Sequence, residues 1–162
     1  MRCLHLFQHI ALALCVVMLT ACGFQLRTAS TLPEDLQNLE VSAINSESKL
    51  YVQLNKSLTQ SNIQPAQANQ ATAELKLLDD KLTQRTLSLF QNGQVAEHEL
   101  IYTVSYQLIR ENQKPITRSF EITRNYQDDP DNALGKSREM ALILSEMRVK
   151  ASNMIIRQLG QL

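Results

Sequence analysis

The chain has 162 residues, 44% of them hydrophobic and 20% charged, with no Trp. Those proportions suit one ordinary globular domain and exclude a disordered or repeat protein. Sixteen basic residues offset 16 acidic ones, which excludes the strongly basic face that nucleic-acid binding requires.

Residues 1–21 have the order of an export signal. Arg2 is their only charged residue, an apolar run extends from Ile10 to Leu19, and small residues precede Cys22. Leu19-Thr20-Ala21-Cys22 matches the bacterial lipobox. That chemistry attaches a diacylglyceryl group to the Cys22 thiol, cleaves before it, and leaves an amine that can take a further acyl chain. Cys15 follows bulky Leu14, and cleavage there would cut the apolar run short. An uncleaved membrane span is the alternative, because the uncharged stretch from Leu4 to Ala21 is just long enough. That stretch contains His5, Gln8 and His9, however, and ends in a lipobox rather than a basic stop. Gly23, rather than Asp, follows Cys22, which favours onward transport to the outer membrane. The expected organisation is a signal peptide over 1–21, a lipidated tether over 22–34 and one domain over 35–162. All three cysteines fall in the first 22 residues, so the domain has neither a disulfide framework nor a cysteine metal site.

The first strand is expected at Leu39–Ile44, where Leu39, Val41 and Ala43 alternate with Glu40 and Ser42. Ser46 or Ser48 can cap a helix over Lys49–Gln60, whose apolar face carries Leu50, Leu54 and Leu58, and Asn62 and Pro65 end it. A second strand starts at Ala73 and resumes at Leu87, with Asp79-Asp80 interrupting the alternation as a bulge. Gln91-Asn92-Gly93-Gln94 is a hairpin turn, since Asn-Gly tolerates the positive φ of a tight connection. The third strand has Leu100, Tyr102, Val104, Tyr106 and Leu108 on one face. Glu111–Pro115 turns into a fourth with Ile116, Phe120, Ile122 and Tyr126, its core face interrupted by Arg118 and Arg124. A loop over Gln127–Asn132 leads to a long C-terminal helix with an apolar stripe through Met140, Leu144, Met147, Ala151 and Ile155. The order β-α-β-β-β-α implies an α+β two-layer sandwich, a four-stranded mixed sheet with both helices on one face.

Three segments give the chain a family likeness. They are Cys22-Gly23-Phe24-Gln25-Leu26-Arg27 after the lipobox, Ser88–Glu97 around the hairpin, and Asn132-Ala133-Leu134-Gly135-Lys136 at the last helix, extended by Glu146-Met147-Arg148 and Ile156–Leu159. In this order the chain resembles the LptE family of lipopolysaccharide-assembly lipoproteins of Gram-negative outer membranes. The resemblance implies a non-enzymatic plug inside the LptD β-barrel, on the periplasmic side of the outer membrane. There it would support barrel assembly and help deliver lipopolysaccharide to the outer leaflet. It implies no cofactor beyond the diacylglycerol and N-acyl chain (palmitate-type) on Cys22. Relatives often carry a basic residue where this chain has Gln91, which puts a lipopolysaccharide contact at that tip in question.

Lys136 and Arg138 lie in the first turns of the last helix, whose positive dipole end favours the phosphates of lipid A; the alternative is a lysine on a solvated helix face. Arg85, Arg118 and Arg124 could gather at one sheet edge as ligand contacts, or could pair with cross-strand carboxylates such as Glu97, Glu99 and Glu121. Phe90, Asn92 and Gly93 at the hairpin tip are the candidate partner-facing residues. After processing His98 is the only histidine, and neither a second metal ligand nor a nucleophile motif accompanies it. Asp128-Asp129-Pro130-Asp131 lacks the Gly and terminal Glu of an EF-hand and reads as a polar turn. Two rival readings remain: a generic outer-membrane lipoprotein serving another envelope complex as a ligand-binding or scaffold module, and a small periplasmic hydrolase.

Overall fold

The structure, a computed structural model, describes residues 32–67, 69–129 and 132–162. The signal segment, the lipobox and Cys22 lie outside the described residues. Packing against the core begins before residue 35. Leu32 is already buried, and a 3-10 turn at Glu34–Leu36 puts Leu36 fully in the core.

Strand β1 (Leu39–Ala43) leads into helix α1 (Lys49–Gln60), followed by β2 (Ala73–Leu89), β3 (Val95–Arg110), β4 (Ile116–Gln127) and helix α2 (Ala133–Leu159). The four strands form one sheet in the order β1-β2-β3-β4. β1 runs parallel to β2, and the two hairpins are antiparallel. Both helices contribute to a single core. Leu50, Leu54 and Leu58 of α1 and Met147, Ala151, Ile155 and Leu159 of α2 cover Leu75, Leu77, Leu100, Tyr102, Val104, Tyr106, Leu108 and Ile122 of the sheet. The α+β two-layer sandwich read from the element order is the fold.

Both ends of α1 follow from local chemistry. The Ser48 hydroxyl accepts from the Leu50 and Tyr51 amides, satisfying two donors that no helical carbonyl can reach. At the other end Asn62 takes φ 60°, the Asn62 amide donates to the Thr59 carbonyl and the Ile63 amide to the Leu58 carbonyl. That is a Schellman stop, with Ile63 packed against the core.

The bulge in β2 falls one residue earlier than the Asp79-Asp80 reading. Pairing with β3 runs Leu77↔Tyr106 and then Asp79↔Ser105, so Leu78 is the extra residue. The strand continues to Leu89, and from Asp79 to Thr86, where the register shifts again, its face is reversed, because side chains alternate and one inserted residue exchanges the two faces. Past the bulge the even positions Asp80 and Leu82 point toward the helices, while Lys81 and Arg85 point to the open face. The β2–β3 connection also differs from a two-residue turn. The Gly93 amide donates to the Phe90 carbonyl and the Phe90 amide to the Gln94 carbonyl, with positive φ at Gly93 but not at Asn92. This is a three-residue loop in which Gly93 alone takes the left-handed conformation.

Candidate functional site

The two layers have unequal lengths, and that inequality makes the site. β1 pairs only with Ala73–Leu77, and α1 starts beside Asp80, where the Ser48 hydroxyl donates to the Asp80 carboxylate at 2.7 Å. Because β1 and β2 are parallel, α1 must run back toward the foot of the sheet. Beyond Asp80 only the first half of α2 covers the strands. The gap is an open cleft of about 450 Å³ lined by Gln84, His98, Tyr126, Asp128, Lys136 and Met140, among others.

Lys136 is held firmly in that cleft. Its Nζ donates to the Glu139 carboxylate at 2.8 Å and lies 5.1 Å from the centre of the Tyr126 ring. The Glu139 hydrogen bond is the largest influence holding the ammonium above lysine's ordinary pKa, outweighing partial desolvation in the opposite direction. The Tyr126 hydroxyl donates to the Lys136 carbonyl at 3.1 Å, which fixes the ring under the helix. His98 stacks on Tyr126 with centroids 6.4 Å apart, and its Nε2 is 3.9 Å from an Asp128 carboxylate oxygen. Its Nδ1 is buried without a hydrogen-bond partner. The Asn132 side chain caps α2 by accepting from the Gly135 amide at 3.2 Å. A Cβ at Gly135 would sit 2.6 Å from that capping side chain, which would have to shift.

The candidate arginines do not converge with Lys136. Arg85 lies on the open face, where it pairs with cross-strand Glu99 at 2.5 Å. Arg124 is on the helix-facing side and bonds Glu146 of α2 at 2.9 Å, not a cross-strand carboxylate. Arg138, two residues from Lys136, points elsewhere on the helix; it is exposed and has no ion pair among the described residues. Arg118 is half-buried opposite Tyr106 in the β3–β4 register. Phe90, Asn92 and Gly93 do cluster at the hairpin tip, with Phe90 and Leu89 exposed beside Leu87. Asn92 shapes that tip, its side-chain oxygen accepting from the Gln94 amide at 3.1 Å.

A second set of residues escaped the sequence reading. Asp80 accepts from the Tyr102 hydroxyl at 2.6 Å as well as from Ser48, joining the α1 cap, the bulge and the core. Burial, reinforced by Asp80, pushes the Tyr102 phenol far above its usual range. The acid pair after a clean alternation was a signal that could have found it. Among the described residues no group of three or more His, Cys, Asp or Glu could hold a metal, and no helix is long and apolar enough to cross a membrane.

The fold and cleft define a small two-layer α+β module of a kind found among bacterial lipoproteins. The crystal structure of the rare lipoprotein B from Shewanella oneidensis superimposes with a TM-score of 0.69 and 35% identity, covering 76% of this chain and 94% of that one. A solution structure of an uncharacterized lipoprotein B from Nitrosomonas europaea shares the fold, with a TM-score of 0.67 and 23% identity over 85% of this chain and 90% of that one. The LPS-assembly lipoprotein LptE of Photorhabdus laumondii is 30% identical over 156 residues, 96% of this chain and 86% of that protein. The corresponding protein of Pectobacterium atrosepticum is 27% identical over 157 residues, 96% and 85% of the two chains. Residues 36–159, which span almost the whole sandwich, match the family described as LptE, lipopolysaccharide-assembly. The chain belongs to the LptE lipopolysaccharide-assembly family.

Proposed function

We propose that this protein is an outer-membrane lipoprotein, anchored through acylated Cys22, that plugs and supports assembly of the LptD β-barrel and helps deliver lipopolysaccharide to the outer leaflet. It works by binding, not by catalysis. The observation that carries the reading is the family match across residues 36–159. Two features add support. The similarity to the Photorhabdus laumondii protein extends over 96% of the chain and so takes in the segment around Cys22. Two or more acyl chains on that residue suffice for stable anchoring, at about 0.8 kcal/mol per buried methylene.

In this reading the cleft receives the anionic head of the lipid. Lys136 is the contact in the first turns of α2, where the helix dipole and the ammonium act together on a phosphate. The ammonium must exchange Glu139 for the phosphate, because Glu139 and Asp129 already act on it with negative charge. Arg124 begins in an ion pair and would have to give up Glu146 to contribute, while Arg85, paired with Glu99 on the opposite face of the sheet, does not reach the cleft. Arg138 has no such partner to leave. The exposed Phe90 and the Asn92-Gly93 turn form the partner-facing tip.

Photo-crosslinkers placed at Asn92 and Lys136 in intact cells test both halves. The expected products join position 92 to a large barrel protein and position 136 to lipopolysaccharide. Products with neither would overturn the reading.

A further inference from the structure

Among the described residues the sheet has three free backbone edges, and only one is left unguarded. β1 is short, and its outer carbonyls are used: Leu39 accepts from the Ala66 amide at 2.9 Å and Val41 from the Tyr51 hydroxyl at 3.3 Å. The distal edge of β2 is broken by three register shifts, a common way of making an edge unfit for pairing. β4 is different. It runs 12 residues without proline, pairs with β3 without any register shift, and has no other strand partner among the described residues. On its helix side Ile116 and Phe120 are only half-buried, so apolar surface as well as backbone is left uncovered there.

The path of the chain indicates what covers it. Asp35 bonds Arg110 at the end of β3, its carbonyl accepts from Thr72 at the start of β2, and the Thr72 amide donates to the Asn38 carbonyl ahead of β1. From Asp35 to β1 the chain therefore crosses the foot of the sheet from β3 past β2. The same line, extended backward past Leu32, would lead to β4. Nine residues lie between Cys22 and Leu32, a reach of about 30 Å when extended. Within them Phe24 and Leu26 alternate with Gln25 and Arg27, the period of a half-buried strand.

We infer that the outer edge of β4 is a strand-addition site occupied by the chain's own segment Gly23-Phe24-Gln25-Leu26-Arg27-Thr28. The added strand is antiparallel to β4. It sets Phe24 and Leu26 beside Phe120 and Ile122, and Gln25 and Arg27 beside Ser119, Glu121 and Thr123. The inference is independent of lipidation. If Cys22 is acylated, the strand also brings the sheet edge to the bilayer instead of leaving the domain on a loose leash.

Cysteine pairs in the full chain test it, because residues opposite each other on adjacent strands fall within disulfide range. Gln25→Cys combined separately with Ser119→Cys, Glu121→Cys or Thr123→Cys should form an intramolecular disulfide on mild oxidation in at least one pairing. Gln25→Cys with Lys81→Cys, three strands away on the same face, should not. No disulfide in any of the three, equal yield with Lys81→Cys, or only intermolecular dimers would each overturn the inference. Hydrogen exchange supplies a second readout. Deleting residues 23–28 should speed exchange of outward amides in β4 by about tenfold or more while the β2–β3 amides hold, and unchanged β4 exchange would also overturn it.

Discussion

A carboxylate at position 80 reaches the core side of the sheet only because Leu78 is looped out ahead of it. There it accepts from both Ser48 and Tyr102. Removing it strands a buried phenol and unseats the hydroxyl that caps α1. Asp80→Ala is therefore expected to lower unfolding free energy by about 2–3 kcal/mol in chemical denaturation, and Asp80→Asn by less, since one acceptor oxygen remains. A loss below about 0.5 kcal/mol would show that the network adds little. Lys136 belongs to the same scale. Lys136→Asp places a carboxylate beside Glu139 and Asp129, and lipopolysaccharide binding by the soluble domain should weaken. Unchanged binding would remove this residue from the site.

At the scale of elements, caps and turns were legible in the sequence because their chemistry is local. Ser48 and Asn62 mark the ends of α1 by what their own atoms do, and the helix occupies Lys49–Gln60 as read. The bulge was misplaced for a physical reason. Leu78 reads as one more apolar residue, and only the pairing with β3 reveals that it is surplus. Arg124 likewise has strand neighbours in sequence, yet its partner Glu146 comes from α2, brought there by the fold. The cleft was the least legible feature. It arises from β1 and α1 being short relative to β2 and α2, a difference no motif records. The hairpin gives an element-scale test. Gly93 at φ 83° has open space around a Cβ, so Gly93→Ala is opposed by backbone strain alone and should cost about 1 kcal/mol. Gly93→Asn should cost less, because Asn tolerates that conformation. Equal losses for the two variants would place the constraint elsewhere.

Across the whole molecule, three phenols tie the sheet to the helices. Burial is the largest influence raising the pKa of Tyr102, Tyr106 and Tyr126, with Arg118 and Lys136 partly opposing it at the last two. A group that holds its proton more tightly when folded contributes stability that is complete below its unfolded pKa, about 10 for tyrosine. Stability should therefore be unaffected by these groups through pH 7–9 and fall above about pH 10. The loss is at most about 1.4 kcal/mol per pH unit per phenol. Tyr102→Phe should flatten that decline, and an equally steep decline in the variant would exclude Tyr102 from it. Tyr106, whose hydroxyl donates to Gln158 at 2.6 Å, ties β3 to the end of α2 in the same way.

The proposed membrane-held, binding role requires that the chain be found with the machine it serves. The most direct measurement is purification of the native full-length chain from detergent-solubilised envelopes, followed by identification of what accompanies it. The account predicts a large outer-membrane β-barrel in stoichiometric amount, on a chain whose amino terminus is acylated Cys22. A chain that emerges alone, or with partners that include no barrel, would contradict it.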